Sequence, residues 1–182
     1  MSSSRDYSGI SGLKLIAFDL DGTIWSPEMY QLWGGGAPFK PAENGQDLID
    51  SKGCNVRLLG ISSELLHDIK HHVDLSHIKV AWVSCCDEPE WAHECLELFE
   101  SHPSRLPIGE IAHSSQIYSA NKQVHFKTLH EEFPDIEFHE MLFFDNEMRN
   151  IHNVEKLGVK CVYCPDGMTE SIWEDGLKLF RS

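Results

Sequence analysis

The stretch Leu13-Lys14-Leu15-Ile16-Ala17-Phe18-Asp19-Leu20-Asp21-Gly22-Thr23 decides how this chain is read. Its apolar run predicts a buried strand, and two carboxylates spaced i, i+2 stand where that strand gives way to a loop. In an open α/β sheet that edge is where ligands bind. Like charges this close are costly unless a cation lies between them or one stays protonated, so Asp19 and Asp21 suit a divalent metal or acid–base work. Gly22 and Thr23 add a tight turn and a hydroxyl beside the acids. The plainer alternative is a strand ending in a solvated turn, and the rest of the chain decides between the two.

A length of 182 residues, with 41% hydrophobic and 24% charged content, suits one globular domain able to bury a sizeable core. The formal charge of -14 argues against nucleic acid or an acidic membrane surface as partner. Residues 1–12 are small and polar and read as a disordered arm, which leaves 13–182 as the single domain. No run approaches membrane-spanning length. Six cysteines without a secretory pattern favour reduced thiols and a cytoplasmic setting.

Strand-like runs alternate with helix-periodic segments outward from Asp19, the pattern of a mostly parallel sheet covered by helices on both faces. Ser26 to Asn55 breaks into glycines and prolines, an irregular excursion with a small hairpin near Gln46 to Arg57. Ser62 or Ser63 is expected to cap a helix through Leu65, Leu66, Ile69 and Val73. A strand over Ile78 to Val83 follows, with Ser84 at its end. A helix opens at Glu88-Pro89 and closes by His102-Pro103, a weaker strand or loop spans Ile111 to Tyr118, and Asn121 caps a helix with Lys122 in its first turn. The run Met141 to Phe144 ends in Asp145-Asn146. A helix to Gly158, a strand over Val159 to Tyr163 and a helix from Met168 to Phe180 complete the chain.

Parallel strands bring their C-terminal ends to one edge, so Asp19, Asp21, Ser84 and Asp145 can converge although they lie far apart in sequence. Lys122 joins them if its helix starts there. Carboxylates for a hard cation, a hydroxyl for phosphoryl oxygens and an ammonium for developing charge make a phosphoryl-transfer set. Taken singly, a serine after a strand is usually a turn residue and a lysine on a helix is usually solvated.

With these residues in place, the chain resembles the haloacid dehalogenase (HAD) superfamily. Asp19-Leu20-Asp21-Gly22-Thr23 is similar to its first motif, Ser84 to its second, Lys122 to its third, and Phe143-Phe144-Asp145-Asn146-Glu147 to its fourth. The stretches 21–25, 38–41, 122–126, 143–150 and 156–159 are closest to the magnesium-dependent phosphatase family. The resemblance implies a three-layer, Rossmann-like α/β fold without a full cap domain. It also implies Mg²⁺-dependent hydrolysis of phosphate monoesters through an aspartyl-phosphate, on protein phosphotyrosine or sugar phosphates such as fructosamine phosphates. In that scheme Asp19 is the nucleophile and Asp21 the acid–base; Asp19, Asp145 and the Asp21 carbonyl hold Mg²⁺. Ser84, Cys85, Lys122 and Thr23 face the phosphate, with Thr23 supporting the loop, and Asn146 stands behind the metal ligands.

Three positions depart from the closer family. Cys85-Cys86 follows Ser84 where Arg-Thr is usual, so a phosphate-gripping guanidinium is missing there. Gly22 replaces an aromatic residue and is expected to open space beside the nucleophile, and Asn146 replaces a second acid. Neither interval between motifs has room for a cap, so an open site is expected, with Trp25, Tyr30, Trp33 and Phe39 either lining its entrance or packing a minor cluster. Cys161 and Cys164 read as structural thiols, Cys85-Cys86 as oxidant-sensitive, and the histidines as surface residues. The alternative from another class is a catalytically silent HAD-fold binding module, which retention of all five polar groups disfavours. Dehalogenation needs no second acid such as Asp21, and a mutase needs a cap to keep its intermediate.

Overall fold

The computed structural model describes residues 5–181. In chain order the strands and helices are β1 (Leu15–Phe18), β2 (Trp25–Ser26), β3 (Lys40–Pro41), β4 (Leu48–Ile49), β5 (Asn55–Leu58), α1 (Ser62–His71), β6 (Lys79–Ser84) and α2 (Pro89–Leu98). They continue with β7 (Glu100–Ser101), β8 (Leu106–Pro107), β9 (Ser114–Ile117), α3 (Lys122–Glu132), β10 (Met141–Asp145), α4 (Met148–Glu155), β11 (Lys160–Tyr163) and α5 (Glu170–Lys178).

The central sheet is parallel throughout, in the order β11-β10-β1-β6-β9. From β1 the chain crosses to β6 on one side and later returns to β10 on the other, which makes the end of β1 the point where strand order reverses and a crevice opens. Asp19 is the first residue past that end.

Residue alternation builds the layers. Ile16, Phe18, Val80, Trp82, Leu142 and Phe144 face one side, in a core with α1, α2 and α5 side chains such as Leu66, Leu96 and Trp173. Leu15, Ala17, Ala81, Val83, Met141 and Phe143 face the other, against Phe126 and Leu129 of α3 and Ile151 and Val154 of α4. Both faces of the three inner strands β10, β1 and β6 are dry, which is why these read as near-continuous apolar runs, whereas the edge strands β9 and β11 are partly exposed.

The excursion after β1 folds as a four-stranded antiparallel sheet, β2-β5-β4-β3, and β4 with β5 forms the expected hairpin. Buried Asp50 fastens it by accepting N–H bonds from Gly36, Lys52 and Cys54.

Several details differ from the sequence reading. Residues 5–12 are not a disordered arm: Tyr7 and Ile10 are buried in the core, the Tyr7 hydroxyl donates to Asp68 at 2.9 Å, and Arg5 pairs with Asp68 and Glu170. Residues 1–4 of that arm lie outside the described residues. No side chain caps α1, where Ile61 stands at the N-cap and Ser62 opens the helix, and Val73 lies beyond its end, exposed. Helix α2 stops at Leu98, before His102-Pro103, because the chain turns into the β7–β8 hairpin. His125 is fully buried, contrary to a surface reading of the histidines.

Candidate active site

Asp19, Ser84 and Asp145 come from the C-terminal ends of β1, β6 and β10, and Lys122 from the first turn of α3. Asn121 fixes that helix start by accepting the Gln123 N–H at 2.9 Å. Lys122 is 1% exposed, and its ammonium donates to Asp19 Oδ1 and to the Val83 carbonyl, both at 2.5 Å; Asp145 Oδ2 lies 3.2 Å away. Burial works against the lysine's charge, but Asp19 and Asp145 outweigh it and hold the pKa above the ordinary lysine value. Burial likewise pushes the Asp19 carboxyl up, against the pull of Lys122. A buried charge is stable only when it is paired and hydrogen-bonded, and here each pairs with the other.

Asp145 is fully buried behind Lys122. Its Oδ1 accepts the Glu147 N–H at 2.7 Å, and the Asn150 amide donates to Oδ2 at 3.1 Å. Asp21 occupies a different setting: the Trp25 indole N–H donates to Oδ1 at 2.7 Å and the Met29 N–H to Oδ2 at 3.1 Å. Burial raises its pKa to about 6, these two hydrogen bonds holding it from going higher. A carboxyl so poised can give and take a proton near neutral pH.

A cavity of about 510 Å³ has Asp19, Asp21, Ser84, Cys85 and Lys122 in its wall, while Asp145 is fully buried behind Lys122 and does not line it. Thr23 is absent from that wall: it is buried beneath the loop, where its carbonyl accepts the Met168 N–H, so it supports the turn without reaching a ligand. Asn146 does not line the cavity either and packs on Gly22, whose φ of +74° and closeness to the Asn146 amide leave no room for a Cβ, which would lie 2.2 Å from Nδ2. The space expected beside the nucleophile is filled by Asn146.

Cys85 lines the cavity, its thiol 2.9 Å from the Ala120 carbonyl and its pKa raised by burial; burial also pushes Cys86 to about 12. Burial thus disfavours the thiolate at both positions, the form that oxidants attack. The aromatic loop splits between its two readings. Trp25 and Phe39 are buried, against Phe99 and Trp91, whereas Tyr30 stands exposed on the cavity wall and Trp33 is exposed.

The sequence pointed to no role for Asn150, Met29 or Arg149, nor to the Trp25 indole as a donor to Asp21. Three of them lie inside the stretches that carried the family resemblance, Asp21 to Trp25 and Phe143 to Asn150, so position was the available signal. Met29 acts through its backbone N–H, which no side-chain pattern reveals.

The acid phosphatase family model matches residues 12–182, nearly the whole length. The chain belongs to this family. It is a phosphatase, a phosphoric monoester hydrolase with the HAD fold. It is 32% identical over 170 residues to Magnesium-dependent phosphatase 1 of Homo sapiens, covering 92% of this chain and 86% of that protein. An HAD-like hydrolase superfamily protein of Schizosaccharomyces pombe is 32% identical over 152 residues, 80% of this chain and 82% of that one. Solved structures share the fold at lower identity. The N-terminal part of a Bacteroides fragilis protein, containing a phosphatase domain complexed with Mg, gives a TM-score of 0.61 at 18% identity over 94% of this chain and 42% of that one. An HAD-like hydrolase from Porphyromonas gingivalis gives 0.58 at 13% identity over 94% and 100%.

Proposed function

We propose that this phosphatase is Mg²⁺-dependent and works through an aspartyl-phosphate on Asp19. The observation that carries the reading is the Lys122 ammonium, which gathers Asp19 and Asp145, from the ends of two neighbouring strands, around one point. Among the described residues no three acidic, histidine or cysteine side chains converge as a metal cage. The two carboxylates gathered at Lys122 suit a hard ion that uses one or two carboxylates and keeps several waters. Asp19, Asp145 and the Asp21 carbonyl would hold Mg²⁺, which when bound neutralises charge on the phosphoryl oxygens.

The Asp19 carboxylate forms a bond to phosphorus as the bond to the leaving oxygen breaks, and Asp21 delivers its proton to that oxygen. Asp21, now ionised, takes a proton from the water that attacks phosphorus next, and the Asp19–phosphorus bond breaks to release phosphate. Lys122 stabilises the phosphoryl charge, and Ser84 and Cys85 border the same space.

The relative's name supports magnesium for this chain. Phosphotyrosyl protein, or a sugar phosphate of the fructosamine phosphate type, is the substrate class we favour. The first two intervals between motifs hold only short strands, α1, α2 and a hairpin, which supports a capless, open site, with exposed Tyr30 placed to meet a bulky leaving group. The six cysteines are free, which supports the cytoplasmic reading. The test is hydrolysis of an aryl phosphate with Mg²⁺, with EDTA, and by Asp19→Asn. Loss of turnover in the last two conditions is expected, and turnover indifferent to both refutes the mechanism.

A further inference from the structure

We propose that Arg149 and Asn153 form a second subsite in the cavity, for a carboxylate carried on the leaving group of the phosphomonoester. The inference rests on the phosphatase reading of the cavity and names what lies beyond the phosphorus.

Two cationic side chains line the cavity, Lys122 and Arg149. Lys122 is buried at the phosphoryl end, held by Asp19, Val83 and Asp145, and does not extend along the wall. Arg149 is 83% exposed, and its ion-pair partner Glu147 stands 3.5 Å away, so the planar array of guanidinium donors stays open to a ligand. Arg149 and Asn153 are one turn apart on α4 and both line the cavity. The Asn153 amide oxygen is turned to Lys156 at 3.4 Å, which leaves the amide N–H groups as donors. A guanidinium fork beside an amide donor matches a carboxylate's two oxygens.

The rest of the wall narrows the choice. Glu28, Asp87 and Glu147 also line the cavity, so beyond the phosphoryl position at Lys122 the one cationic group on the wall to receive an anion is Arg149. Glu147 next to that arginine tempers its charge, which favours a singly charged carboxylate over a second phosphate. Cys85 stands where the closer family places an arginine, so among the described residues the guanidinium lining the cavity is the one from α4, Arg149.

The test is equilibrium binding of non-hydrolysable phosphonates to the Mg²⁺-supplemented full-length protein, by calorimetry. Phenylphosphonate is compared with its 3-carboxy and 4-carboxy derivatives. The better carboxylated isomer is expected to bind about 3- to 10-fold tighter than phenylphosphonate, as one charge-assisted contact at an exposed site allows. Arg149→Gln brings the ratio to about one, Arg149→Glu takes it below one, and added salt shrinks it in the wild type. Equal binding of all three ligands by the wild type, or a ratio that survives Arg149→Gln, overturns the subsite. The binding ratio needs no turnover, whereas the mechanism is tested by loss of phenyl phosphate hydrolysis in Asp19→Asn, so the two ideas fail separately.

Discussion

The Lys122 ammonium lies 2.5 Å from Asp19 Oδ1, a contact between residues 103 apart in sequence, and both are almost fully out of water. The pair joins the end of β1 to the start of α3 and, in the proposed mechanism, sets where a phosphoryl group would meet positive charge. Lys122→Met keeps the side-chain length but leaves Asp19 and Asp145 facing each other without their shared cation. Breaking a buried pair this way costs about 3–5 kcal/mol, and losing a charge that stabilises the transition state costs about 10²–10³ in kcat. Thermal melts and aryl phosphate turnover measure the two. Added Mg²⁺ should recover part of the melting temperature and little of the turnover.

Asn150 donates to the Asp145 carboxylate, which the Glu147 N–H also holds. Groups that orient a metal ligand are worth about 10- to 100-fold in metal affinity. Asn150→Ala is therefore expected to raise the Mg²⁺ concentration for half-maximal activity by about that factor, with most of the turnover recovered at saturating metal. A Mg²⁺ titration of activity checks it; an unchanged midpoint would show that Asn150 matters only for packing.

Much of this site could be read from the chain before its fold was seen. Asp19, Asp21, Ser84 and Asp145 each end an apolar run, and parallel strands have one common edge, so their meeting followed from pattern alone. Asn121 announced the start of α3 and thereby placed Lys122. Other features left no such trace. Thr23 looks like a ligand by its position, yet the carbonyl of Leu20 takes the N–H groups of Thr23 and Ile24 and folds the side chain under the loop. The space opened by Gly22 is taken by Asn146, a contact across two strands' loops that local sequence does not encode. The N-terminal segment is polar on average, and its anchoring by two apolar side chains and one arginine is a matter of tertiary partners, Asp68 and Glu170.

That anchoring has a measurable worth. Tyr7 is 3% exposed, packs edge-on to Trp173 and His72, and bonds Asp68 through its hydroxyl. Tyr7→Ala should cost about 3 kcal/mol, lowering the melting temperature by roughly 6–12 °C. A melting temperature within a degree or so of the wild type's would mean the segment is not docked in solution.

His125 supplies a pH dependence of stability. It is fully buried, its Nε2 lies 3.0 Å from the Tyr118 carbonyl, and its ring stacks on Tyr118. Burial lowers its pKa, with nearby Lys122 adding to the effect. The unfolded chain therefore takes up this proton first as pH falls, so the stability His125 contributes is complete above about 6.5 and is lost progressively below it. Melts of wild type and His125→Gln at pH 7.5 and pH 5.5 should show the wild type losing more on acidification. Equal losses would mean that the imidazole titrates freely in the fold.

The most direct measurement of the central claim is the site of phosphorylation during turnover. Asp21→Asn slows release of the intermediate, and acid quenching of that variant with an aryl phosphate and Mg²⁺, followed by peptide mass spectrometry, locates the phosphoryl group. The account predicts a hydroxylamine-labile phosphoryl group on Asp19, absent when Asp19→Asn is added. A phosphoryl group on Ser84, Cys85 or any other side chain would contradict it.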